Sequence, residues 1–128
     1  MKTQIHLLLA ASLLTVVTTP LRAQIVADGA TNTLSNVTVT TGGVTVGTNG
    51  AFTLLVLSDN ATLNTSRDGT IGANLTAKSN EVRLLSPTAY WSVGTNLFIG
   101  SNGALNRLTI SNGAQVESRG VTSGGFTF

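Results

Sequence analysis

Five carboxylates carry most of the acid–base chemistry open to residues 24–128: Asp28, Asp59, Asp68, Glu81 and Glu117. Glycoside hydrolysis needs two carboxyl groups about 5–10 Å apart across the scissile bond. No Asp-Asp pair stands out, and a site built from Asp68 with Arg67 is the only local arrangement the sequence suggests. Serine and threonine are abundant, but the single histidine is His6 and there is no cysteine. A hydroxyl nucleophile therefore has no imidazole base beyond the N-terminal segment, and no Cys-His couple exists. Asp59, Asn60 and Asp68 offer oxygen ligands. They lack the alternating acidic loop that gathers six to eight oxygens around calcium, so they read as turn residues and no metal or cofactor is expected. The glycines of Thr41-Gly42-Gly43 and Gly124-Gly125 lack the Lys-Ser/Thr of a phosphate loop. Tyr90-Trp91 is the one aromatic pair, a candidate carbohydrate contact if its rings face solvent and a filler of a chain corner if they do not. No catalytic residue is assigned, and the chain is not expected to be an enzyme.

The elements that position these residues begin after an export signal. Lys2 gives a positive start, Ile5–Val17 is mostly apolar, and Leu21-Arg22-Ala23 supplies a small residue at the cleavage point. This is the pattern of a secretory signal peptide over residues 1–23, with cleavage leaving Gln24 first. The apolar core of 13 residues falls short of the ~20 needed to span a bilayer. Removing the segment takes Lys2 and Arg22 with it. The remaining five cations (Arg67, Lys78, Arg83, Arg107 and Arg119) balance the five carboxylates. No basic face is implied, so nucleic acid is not expected as a partner.

Residues 24–128 hold 17 Thr, 14 Gly and 11 Asn, a mixture of strand formers and turn formers. Apolar residues alternate with polar ones at Leu97/Ile99, Leu108/Ile110 and Val116, which reads as short half-buried strands. Asn-Gly at 49–50, 102–103 and 112–113 marks turns, because both residues tolerate positive φ.

A repeat organises these strands. Residues 44–66 align with 97–119 without a gap, at an offset of 53 and with 7 identities in 23 positions. A half-period of 26 to 28 residues relates Ile71-Gly72 to Ile99-Gly100, and Asn80–Leu84 to Asn106–Ile110. Units of about 26 residues suit coils of a β-solenoid, each burying its apolar row only by stacking on the next. The predicted fold is all-β: a short right-handed parallel β-helix of about four coils over residues 24–128. Its expected inner rows pair Val46 with Ile99, Leu55 with Leu108, Leu57 with Ile110 and Leu63 with Val116. Asn80 and Asn106 either form an amide ladder or each fill their own turn. A meander of hairpins competes, because Asn-Gly is also a strong hairpin signal. An eight-stranded membrane barrel ending in Phe128 would use most of the chain, against the repeat register.

The run L-F-I-G-S-N-G-A-L-N-R-L-T-I-S-N-G-A-Q-V over 97–116, preceded by Trp91, resembles the repeats of bacterial autotransporter-type passenger proteins. The likeness covers 91–116 well, 44–65 partly and 71–84 faintly. It implies an exported β-helical stalk or adhesive segment at the surface of a Gram-negative cell or outside it, with the periplasm as the alternative. The resemblance links such segments to the outer membrane through a barrel that this sequence does not contain. Alternative readings are a carbohydrate-binding or polysaccharide-degrading β-helix and a fragment of a longer autotransporter. The expected partners are surface glycans and other copies of the chain, met through the coil ends.

Overall fold

The computed structural model describes residues 24–124. Ten strands and no helix make up the described residues. Coil 1 carries β1 (Thr31–Ser35), β2 (Thr38–Thr41) and β3 (Val44–Val46). Coil 2 carries β4 (Leu54–Ser58), β5 (Thr62–Thr65) and β6 (Gly69–Ile71). In coil 3, β7 (Glu81–Leu84) is followed by β8 (Tyr90–Ile99), and in coil 4, β9 (Arg107–Ile110) by β10 (Gln115–Ser123). The long strands β8 and β10 each replace two short ones. Every pairing is parallel, and strands pair between successive coils: β1-β4-β7-β9 form one sheet, and the rest form the other. The described residues form a parallel β-solenoid of four coils. The hairpin meander is excluded by these parallel pairings.

Period-two alternation decides which residues face inward. The inner rows are Asn32-Leu55-Val82-Leu108 and Leu34-Leu57-Leu84-Ile110 in the first sheet. In the second they are Val39-Leu63-Trp91-Val116, Val44-Gly69-Leu97-Val121 and Val46-Ile71-Ile99-Ser123. All four predicted pairs fall in these rows, with one coil between the members of each. The 53-residue offset is therefore two coils, and the half-period is one. Leu55, Leu57, Leu63, Ile71, Val82, Leu84 and Trp91 are fully buried. Ile110 keeps its place in the row but is 48% exposed, because it belongs to the last described coil.

Trp91 takes its space from a neighbour. A Cβ on Gly69 would lie 2.7 Å from the indole Cζ2, so the glycine in β6 leaves room for the ring. The corner between the first two strands of coils 2, 3 and 4 is closed by the same hydrogen bond each time. The amides of Ala61, Ala89 and Ala114 donate to the carbonyls of Ser58, Ser86 and Ser111. At Asn112-Gly113 both residues have positive φ, 54° and 80°, the backbone of a hairpin turn used here to round a corner. The other two Asn-Gly pairs are not turns of that kind. Gly50 and Gly103 are not among the residues with positive φ. A Cβ on Gly103 would lie 1.9 Å from the Ala77 carbonyl oxygen, so its glycine serves close approach between coils.

Candidate functional site

The loops that join one coil to the next form one edge of the solenoid: 47–53, 72–80 and 100–106. Each starts at an equivalent glycine, since Gly72 and Gly100 donate to the carbonyls of Val46 and Ile71. Each ends at a buried polar residue: Thr53, Asn80 and Asn106. These three side chains form a ladder. The Thr53 amide donates to Asn80 Oδ1 at 2.7 Å, and the Asn80 amide donates to Asn106 Oδ1 at 2.9 Å. Asn80 Nδ2 reaches the same Asn106 oxygen at 3.0 Å, and Asn106 Nδ2 donates to the Ala77 carbonyl. Thr53 Oγ1 continues the series by accepting the Gly29 amide. Asn80 and Asn106 therefore fill their own turns and connect the coils as well. Gly72 makes this ladder fit. Its φ is +75°, and a Cβ there would lie 2.0 Å from Asn106 Nδ2.

The five carboxylates sit at separate corners and faces. Asp28 accepts the amides of Thr48, Asn49 and Gly50 at 2.8–2.9 Å. Partial burial pushes its carboxyl up, but those three donors outweigh the burial and hold it below the usual range. Asp59 accepts from Ser35 Oγ in the turn before β5. Asp68, in the turn after β5, accepts the Thr95 hydroxyl and the Asn96 amide. Glu117 accepts from Tyr90 Oη at 2.7 Å, a bond that raises the Tyr90 phenol. Asp59 and Asp68 are separated by the whole of β5, so the calcium reading finds no common loop. Among the described residues, no group of three or more His, Cys, Asp or Glu side chains could hold a metal ion.

Glu81 is the best organised charge. It stands on the outer face of β7, beside Arg107 on β9. Arg107 binds it in a bidentate fork at 3.0 and 2.8 Å, Arg83 adds a bond at 2.8 Å, and Thr109 Oγ1 adds one at 2.7 Å. Burial pushes the carboxyl up. The hydrogen bonds from Arg83, Arg107 and Thr109 outweigh it, and the Arg107 charge adds to them, holding the group at about 2. The alignment of Asn80–Leu84 with Asn106–Ile110 already sets Glu81 against Arg107. That pairing is the signal from which the cluster could be read in the sequence.

The aromatic pair divides between the two faces of its strand. Trp91 is fully buried, and its Nε1 is buried without a hydrogen-bond partner among the described residues. Its indole is not a surface on which a sugar can stack. Tyr90 lies on the outer face between Thr62 and Gln115. Arg67 precedes Asp68 in the turn between β5 and β6.

The class defined by these coils is a β-solenoid with a polar ladder inside one edge. No family model matches the chain, and no curated protein or solved structure matches it either.

Proposed function

We propose that this chain is an exported structural segment, a passenger-type β-solenoid that serves as a stalk or adhesive surface outside the cell and carries out no catalysis. The observation that carries the reading is the contrast between its inner and outer rows. The inner rows are mostly Leu, Ile, Val and Trp, buried in the middle coils. The outer rows of the first two coils are largely hydroxylated, with Thr31, Thr33, Thr38, Thr40, Thr45, Thr62 and Thr70, and only Leu54 and Val56 of β4 are apolar there. Such a body is a rigid spacer whose hydrogen-bonding surface carries charge at few points, chiefly the Glu81, Arg83 and Arg107 cluster. The proposed leader, residues 1–23, lies outside the described residues. With it, the reading places the protein at the surface of a Gram-negative cell or beyond it, and any link to the outer membrane would run through a separate barrel.

Fractionation of a Gram-negative host expressing the full chain, followed by N-terminal sequencing, tests the proposal. The expected product starts at Gln24 and is degraded by protease added to intact cells. An uncleaved cytoplasmic product would overturn it. The carbohydrate-binding alternative now rests on Tyr90, and glycan-array binding abolished by Tyr90→Ala would favour it.

A further inference from the structure

Asn-Gly bonds recur at 49–50, 102–103 and 112–113. In such a pair no side chain shields the glycine nitrogen, so it is the least hindered backbone nucleophile for the asparagine amide. Attack needs a glycine N–H free to lose its proton, room for the peptide to turn, and water. The fold grants these unequally, although Asn102 and Asn112 share the same flanks, Ser-Asn-Gly-Ala.

Asn49-Gly50 lacks the free N–H. The Gly50 amide donates to Asp28 Oδ2 at 2.9 Å, and the same carboxylate holds the amides of Thr48 and Asn49. A carboxylate accepting an N–H opposes loss of that proton. Asn102-Gly103 lacks room. Gly103 is buried, and a Cβ on it would overlap the Ala77 carbonyl oxygen. Asn112-Gly113 is held in neither way. Both residues are exposed, at the corner between β9 and β10. The atoms nearest to a Cβ on Gly113 would be two of Pro87, at 3.5 and 3.7 Å, which is ordinary contact. Among the described residues no acceptor takes the Gly113 amide. This exposure belongs to the corner and not to the end of the stack. Asp59-Asn60 and Pro87-Thr88, at the same corner of coils 2 and 3, are exposed although a coil lies on each side of them.

We propose that Asn112 is a site of spontaneous deamidation, and that the fold protects Asn49 and Asn102 from the same reaction. The Gly113 nitrogen loses its proton to hydroxide and bonds to Asn112 Cγ. The Cγ–Nδ2 bond breaks, and Nδ2 leaves as ammonia after taking a proton from water. A second water opens the five-membered succinimide. Opening at Cγ gives aspartate, and opening at the main-chain carbonyl gives isoaspartate, in which the chain runs through Cγ. Overall one water is consumed and one ammonia released, with nothing oxidised or reduced. The product changes the corner. Asn112 Nδ2 donates to the Leu85 carbonyl at 2.9 Å, and a carboxylate in its place has no proton to donate. Isoaspartate also adds a carbon to the corner that the Ala114 amide closes on Ser111. Coil 4 thus loses a tie to coil 3. The inference does not depend on export.

Incubation of the purified chain in mildly alkaline buffer, folded and in urea, tests this, with peptide mapping by mass spectrometry at each time. In urea the three sites react at comparable rates. In the folded chain Asn112 reacts first, and Asn49 and Asn102 lag it by more than about ten-fold, because each must wait for local opening. Folded-state reaction at Asn49 or Asn102 as fast as at Asn112 would overturn the proposal, as would equal protection of all three. Hydrogen exchange then compares aged with fresh protein. The amides of Ala114 and Gln115 exchange faster in the aged chain, and unchanged exchange there would overturn the loosening of the corner.

Discussion

Replacing Asn80 with alanine tests whether the internal ladder holds the coils together. The Asn80 side chain accepts the Thr53 amide and donates to Asn106 Oδ1, and both Asn80 and Thr53 are fully buried. Truncation leaves the Thr53 N–H buried without an acceptor, at about 1–3 kcal/mol. Loss of the amide-to-amide bond adds about 1 kcal/mol. The expected cost is ~2–4 kcal/mol, a large part of the 5–15 kcal/mol typical of a whole domain. Asn49 supplies the control. Its Oδ1 accepts from Asn74 Nδ2 at 2.6 Å, but both residues are exposed, so Asn49→Ala should fall within about 0.5 kcal/mol. In urea, with a slope near ~2 kcal/mol per molar, Asn80→Ala moves the unfolding midpoint down by about 1–2 M, and Asn49→Ala hardly moves it. Circular dichroism in the β region reads both. Equal midpoints for the two variants would refute the claim that the buried ladder is the stronger tie.

Gly72→Ala should cost more than ~2 kcal/mol, from left-handed strain and the overlap with Asn106. Part of that cost should vanish in an Asn106→Ala background, which a double-mutant cycle in urea measures. Glu81 is held at about 2 in the folded protein against an ordinary 4.5. A depressed carboxyl contributes stability that is complete above the unfolded value and is lost as pH falls from 4.5 toward 2. Glu81→Gln should therefore flatten the acid limb of a stability-against-pH curve in that window. Trp91→Phe removes an indole N–H that has no partner, so it should cost less than the ~3–5 kcal/mol expected of Trp91→Ala, as thermal unfolding of the two variants will show.

The repeat was legible because glycine and asparagine recur where coils join, and Val, Leu and Ile recur where rows face inward. It was clearest at two coils because successive coils differ in length. Gly47, Gly72 and Gly100 stand 25 and 28 residues apart, and Leu75-Thr76 lengthens the second loop relative to 47–53 and 100–106. Coil 3 also substitutes Ser86-Pro87-Thr88 for the Asn-Gly corner of coil 4, and Trp91 faces a row that thins to Gly69 nearby. The hairpin reading arose because Asn112-Gly113 has the backbone of a hairpin turn, and local geometry does not say whether the next strand lies alongside or rounds a corner. The three amides on Asp28 had no signal in the sequence, because those contacts exist only once coil 1 closes onto residues 48–50. Alternation puts Tyr90 and Trp91 on opposite faces, and only the register of Trp91 on Leu63 and Val116 decides which of the two faces inward.

Everything above rests on four coils stacked in parallel register. Backbone nuclear Overhauser contacts in the labelled chain test it most directly. Stacked coils give amide-to-Hα contacts linking Val82 to residues of both β4 and β9, around Leu55 and Leu108. Antiparallel Hα–Hα contacts between Leu97–Ile99 and Leu108–Ile110, a hairpin about Asn102-Gly103, would contradict it.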